Sequence, residues 1–229
     1  MLCLAAATLI AGCSFNQNYS SAQHNDISLR NDALSHQGMA FISPSTITGQ
    51  EEDKQVLAFV FAKTLAEKRP DIRVVDLPQT LGAINRAGLA SEYNRMFEDY
   101  RETGIFNRTS LKKIGEAANA RYLVQLNLAN FRQESRGRFS MLGFRVYQTT
   151  HANIRLFVQI WDSHDGSIAW EGVEELNLAE ETGREKTITF TSVVEESARN
   201  LVRLLPGPDS NGRAYSESVR TDPIPIAKQ

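Results

Sequence analysis

The residue types able to do chemistry are few in this chain and poorly grouped. Ser163, His164 and Asp165 stand side by side, the three side chains of a hydrolytic triad. A triad is an arrangement in space, and chain neighbours rarely converge on one another, so this run reads as a polar hairpin turn. His24, His36 and His151 are scattered, with no pair at a ligand spacing such as His-Glu-x-x-His, and no metal is expected. Gly82 and Gly88 lack the second glycine and the lysine of a phosphate loop. The acids Glu171, Glu174, Glu175, Glu180, Glu181 and Glu185 lack the regular oxygen steps and turn glycine of a calcium loop. They read as a solvated strand face and loop. The expectation is a protein that is not an enzyme and holds no cofactor. What remains is Cys13, whose thiol follows an apolar run, Leu2 to Ala11, and the small pair Ala11-Gly12. Cys3 is the one other cysteine, so the body beyond residue 13 has no disulfide, thiol nucleophile or Cys-based metal site.

A second grouping is basic. Arg132, Arg136, Arg138, Arg145 and Arg155 gather on two strands around the Gln133–Met141 connection, where Glu134 is the sole acid. Phe139, Phe144 and Tyr147 lie among them. Arginine and aromatic residues are enriched where proteins grip partners, so Arg136, Arg138, Phe139, Arg145 and Tyr147 form a candidate partner-binding tip. The competing reading is a solvated hairpin end whose charges block edge pairing.

Around these residues the chain divides by composition. Residues 1–12 are too short to span a bilayer, which needs ~20 apolar residues, and no later segment is apolar enough. Residues 13–36, rich in Asn, Ser, Gln and Asp, read as a flexible tether. Residues 206–229, with Pro206, Gly207, Pro208, Gly212, Pro223 and Pro225, read as a disordered tail. Residues 37–205 form the single folded domain. The net charge of −2 offers no basic field for nucleic acid.

Within the domain, Gly38–Ile42 reads as a buried strand, and a helix follows from Glu51 with Val56, Leu57, Val60, Phe61 and Leu65 at helical spacing. Ile72–Leu77 is a second strand. Three helices come next: one opened by Pro78, one from Leu89 to Thr103, and one capped by Thr109 or Ser110. Arg121–Phe131, Phe144–Asp162 and Ser167–Leu178 alternate as strands of a meander, and Ile188–Leu205 is a closing helix. The fold class expected is α/β (α+β), a mixed, mostly antiparallel sheet packed by helices in the order β-α-β-α-α-α-β-β-β-α.

Leu9-Ile10-Ala11-Gly12-Cys13 resembles the lipobox of bacterial lipoproteins. That resemblance makes residues 1–12 a signal peptide and Cys13 the acylated first residue of the mature chain. No Lys or Arg precedes Arg30, so the charged n-region of such a signal would be truncated here. Ser14 after the cysteine resembles the sorting pattern that sends lipoproteins to the outer membrane.

The element order also resembles a group of bacterial envelope domains: curli-secretion-channel lipoproteins, the N-terminal domain of the Tol translocation protein, and outer-membrane lipoprotein activators of penicillin-binding proteins. The matching residues are Val74-Val75-Asp76, then Leu81 with Ile84, the run from Ile114-Gly115 to Tyr122-Leu123-Val124, and the hairpin from Ile160-Trp161-Asp162 to Gly166-Ser167-Ile168. The resemblance implies a domain lipid-anchored at the outer membrane, facing the periplasm, that binds an envelope protein as an assembly or regulatory adaptor. The alternative is an accessory subunit of an envelope transport or secretion system. A channel is not expected, because lipid-facing strands need ~9–11 residues of apolar alternation, and Gln133–Thr150 carries Arg136, Arg138 and Arg145 instead.

Overall fold

The computed structural model describes the backbone of residues 16–141, 144–182 and 188–207, and the side chains of residues 19–134, 150–179 and 188–207. Cys13 and residues 208–229 lie outside these ranges.

The elements in chain order are β1 (Asn16–Asp26), α1 (Ala33–Gln37), β2 (Met39–Phe41), β3 (Ser45–Thr46), α2 (Glu51–Lys68), β4 (Val74–Val75), α3 (Leu77–Arg86), α4 (Ala90–Thr103), α5 (Arg108–Ala118), β5 (Tyr122–Met141), β6 (Phe144–Asp162), β7 (Ile168–Thr182) and α6 (Phe190–Val202). The strands form one sheet in the order β1-β7-β6-β5-β2-β4, with β3 also on β5. The β1–β7, β7–β6 and β6–β5 pairs are antiparallel, while β2 runs parallel to β4 and β5. The expected mixed, mostly antiparallel sheet packed by helices is what forms.

Local sequence explains the helix ends. Glu51, Glu52 and Asp53 fill the first turn of α2 and Lys68 its last, each sign opposing the dipole there. The Asp76 side chain accepts the Gln79 N–H at 2.9 Å to start α3. In α5 the cap is Asn107, not Thr109 or Ser110 as expected: its Oδ1 accepts from both of their N–H groups. Thr189 and Ser192 satisfy each other across the start of α6.

Strand alternation splits the core in two. Tyr122, Val124, Leu126 and Leu128 of β5 and Ile154, Leu156, Val158 and Ile160 of β6 face α2 and α6. Leu123 and Trp161 point the other way, into a smaller cluster with Met96, Phe106, Leu111 and Ile114 from α4, the loop after it and α5. Tyr100 stacks on Phe106 with ring centroids 4.2 Å apart, and Phe106 meets Trp161 edge-on at 5.1 Å. Among the described residues this second layer lies over the Leu123–Trp161 end of the sheet. Beyond it Phe157 and Tyr19 stay partly exposed.

Two expectations need correction. Residues 16–36, assigned to a flexible tether, form β1 and α1. An edge strand needs only one neighbour, and all of β1 is in register with β7 from Asn16↔Glu180 to Asp26↔Trp170. Its inward residues find partners: His24 stacks on Trp170, and Ser20 donates to Glu174. Polar composition hid this, because main-chain bonds rather than apolar side chains hold the strand. The second correction is Glu174, expected on a solvated face and found fully buried. Period two places it on the same face as Leu176, under α6, where Ser20 (2.7 Å) and Asn200 (3.0 Å) donate to its Oε1.

Candidate functional site

Among the described residues, a polar cleft lies at the end of the sheet where β5 begins and β6 ends. It has a volume of about 440 Å³ and is lined by Ser28, Arg30, Asp32, His36 and Gln37 from the segment after β1, by Arg121 just before β5 and Tyr122 at its start, and by Asp162 and Asp165 at the β6–β7 turn. The turn is set by Gly166, whose φ of 81° suits glycine, and by Gly166 N–H donating to Asp162 C=O at 2.8 Å. It is fastened to α5 at Gly115, where an added Cβ would stand 2.4 Å from Ser163 Oγ.

Asp162 is the anchor of the cleft. Its buried carboxylate takes both Arg121 Nε and Nη2, the latter at 2.7 Å, and accepts the His164 N–H at 2.9 Å. The Asp162 hydrogen bond raises the Arg121 pKa above its ordinary value. Asp165 is held below the usual carboxylate range, chiefly by hydrogen bonds from Ser167 Oγ and N–H. Burial pushes the Tyr122 phenol up, with Arg121 opposing. At the other rim, His36 Nδ1 lies 2.8 Å from the Asp32 carbonyl. Arg30, Arg121, Asp32 and Asp165 therefore give the cleft charges of both signs around a fixed ion pair.

This arrangement can bind a polar surface, but it does not assemble a hydrolytic triad. Ser163 is buried against Gly115, His164 is exposed, and Asp165 is engaged with Ser167. Among the described residues, no group of three or more His, Cys, Asp or Glu is placed to hold a metal ion. No helix among them is long and apolar enough to cross a membrane.

The arginine–aromatic set sits at the opposite end. Arg136, Arg138 and Phe139 are on β5, and Arg145 and Tyr147 on β6; their side chains are outside the described ranges. The backbone corrects the expected connection, since pairing continues to Met141↔Phe144 as a ribbon. Arg155 does not join the set: it pairs with Glu175 on the open face of the sheet. His151 is exposed on β6. Sequence reasoning missed the cleft. Its residues come from three separated stretches, and the one local signal was the Asp162–Gly166 turn.

No family model and no curated protein matches this chain. Among solved structures, it is similar to the PelC dodecamer from Paraburkholderia phytofirmans at 12% identity and a TM-score of 0.49, covering 82% of this chain and 99% of that one. It is similar to lipoprotein GNA1162 from Neisseria meningitidis at 10% identity and a TM-score of 0.36, covering 66% and 88%. A PDZ domain protein from Parabacteroides distasonis gives 9% identity and a TM-score of 0.34, with 84% and 37% covered. These are partial likenesses in the run of strands and helices, and what the site does is read from this chain's own residues.

Proposed function

We propose that this protein is a non-enzymatic envelope lipoprotein, acylated at Cys13, held at the outer membrane and facing the periplasm, where its domain binds a protein partner. The observation that carries the reading is the Leu9–Cys13 motif standing three residues before β1. A cysteine there ties lipid directly to one end of a rigid sheet rather than to a long leash. Several acyl chains together suffice for stable anchoring, at ~0.8 kcal/mol per buried CH₂.

The sheet then sets the direction of the domain. Asn16 is level with Thr150 of β6 through Glu180, and the cleft lies at Asp162, twelve residues further along. At a rise of ~3.3 Å per residue, the cleft stands about 40 Å from the anchored end. It opens away from the membrane, and its mixed charges and fixed Arg121–Asp162 pair suit the polar surface of a periplasmic protein.

The test has two arms. Cys13→Ser should release the protein from outer-membrane fractions washed in high salt, which strips electrostatic contacts but not acyl chains, and equal salt-resistant flotation of the variant would remove the anchor. A photo-reactive residue at His36 should crosslink to one envelope protein in intact cells, while one at Glu67 on α2 should not. Equal capture from both positions would contradict a partner at the cleft. The identity of the crosslinked protein separates an assembly adaptor from a transport or secretion subunit.

A further inference from the structure

At the wall of the cleft stands a hydroxyl that the described residues leave without a partner. Tyr122 is 4% exposed, and its ring packs in the larger core cluster while the residue lines the cleft. A tyrosine held in this way keeps its apolar body in the core and presents its polar tip to the open side. Among the described residues nothing bonds to that hydroxyl. Buried tyrosine hydroxyls usually find a hydrogen-bond partner, so this one marks a place that a ligand can fill from the cleft. Burial raises the phenol's pKa, and four charges act on it as well: Arg121 and Arg30 pull it down, Asp162 and Asp165 push it up. All four therefore stand around one point.

Their own partners decide which of these groups are free. Asp162 is engaged with Arg121 and the His164 N–H. Arg121 gives Nε and Nη2 to Asp162, which leaves Nη1. Arg30 is exposed and makes no ion pair or hydrogen bond among the described residues. The phenol, Arg30 and Arg121 Nη1 are thus donors awaiting an acceptor. Asp165 receives Ser167 on Oδ1 alone, and the Asp32 side chain caps no helix N–H. These two exposed carboxylates are acceptors awaiting a donor. A ligand that satisfies the set carries an anion and N–H groups close to it. A dianion such as a phosphate monoester would meet both carboxylates with a single unpaired cation in its favour. A carboxylate has one charge, and its two oxygens match a guanidinium side by side. The end of a polypeptide joins such a carboxylate to an amide N–H one carbon away, whereas an acidic side chain is separated from its own N–H by further rotatable bonds.

We infer that the cleft takes the C-terminal carboxylate of a polypeptide partner, with the Tyr122 hydroxyl, Arg30 and Arg121 Nη1 donating to its oxygens and Asp165 and Asp32 accepting the main-chain N–H groups behind it. The inference rests on the reading that a protein partner docks at the cleft, and it names the part of that partner that enters. Asp162 is a positioning residue, since its grip on Arg121 Nε and Nη2 fixes the guanidinium at the cleft wall. The Tyr122 ring is already locked in the core, so its hydroxyl gives up little side-chain freedom on binding.

The test uses the chain from Ser14 onward, which holds every described residue and has no cysteine to acylate. The probe is an array of random-sequence hexapeptides joined to a surface by their N-termini, so that each ends in a free carboxylate, beside the same array amidated. Members of the free-acid array should retain the protein, and amidating those members should weaken binding about tenfold or more. Tyr122→Phe keeps the packed ring and removes only the hydroxyl. It should melt with the wild type while its affinity for the retained peptides falls about tenfold, in the range for a hydrogen bond to a charged group. Arg30→Gln, at an exposed site, should weaken the same peptides to a similar extent. Equal retention by both arrays, retention by neither, or undiminished binding by the folded Tyr122→Phe and Arg30→Gln proteins would each overturn the inference. Amidated peptides retained only when they carry Asp or Glu would also overturn it, by giving the cleft to an acidic side chain. A specific His36 crosslink in cells alongside any of these results would keep the docked partner and remove only its chain end. Failure of the partner reading itself shows instead as equal capture from His36 and Glu67.

Discussion

Glu174 shows how a single side chain records the assembly of three elements. Strand alternation on β7 turns it inward, Ser20 of β1 and Asn200 of α6 donate to the same oxygen, and burial raises its pKa above the ordinary glutamate value of 4.5 while those donors pull it down. A carboxyl whose folded pKa is raised favours the protonated fold. As pH climbs from 4.5 through the raised value, the unfolded chain ionises first, and the fold loses stability over that window. Glu174→Gln keeps an acceptor for Ser20 and Asn200 and cannot ionise. Urea midpoints of the wild type should fall between mildly acidic and neutral pH more steeply than those of the variant. Parallel profiles would show that Glu174 does not carry the dependence. At this scale the sequence was readable where chemistry is local. Cys13 stands out by its immediate neighbours, whereas Glu174 looked like one more acid in a solvated run, because its partners lie 154 and 26 residues away.

Among the elements, β6 was legible to both ends, since nineteen residues from Phe144 to Asp162 keep one alternation and finish at a turn rich in polar residues and glycine. Helix α2 was equally plain from its acids, its apolar face and Pro70 beyond it. The two-residue β3 was too short to leave a pattern, and β1 is an edge strand of polar residues whose existence depends on β7, some 150 positions on. The cleft was invisible for the same reason: α1, the start of β5 and the β6–β7 turn meet only after the sheet forms. That meeting depends on close contact at Gly115 of α5, where a Cβ would stand 2.4 Å from Ser163 Oγ and 2.9 Å from the Ala120 carbonyl. Gly115→Ala should therefore cost about 2 kcal/mol in denaturant unfolding, the range for overpacking a tight site. Adding Ser163→Gly to it should recover part of the loss. No loss in the single variant would mean that α5 and the turn are free to separate.

At the scale of the whole molecule, the sheet acts as a ruler with different chemistry at its two ends. β1 brings the chain in beside the basic ribbon and delivers it, at Asp26, next to the cleft. The covered face, with α2 and α6, supplies rigidity, and the open face of β1, β7 and β6 leaves Phe157 and Tyr19 partly exposed. The proposed anchor at Cys13 would turn this geometry into a function by choosing which end faces lipid and which faces the periplasm. The direct measurement is the mass of the N-terminal peptide from protein extracted from native membranes. The account predicts that the chain begins at Cys13, with a diacylglycerol on its sulfur and an acyl group on its amine. A membrane-extracted protein whose N-terminal peptide holds residues ahead of an unmodified Cys13 would contradict it.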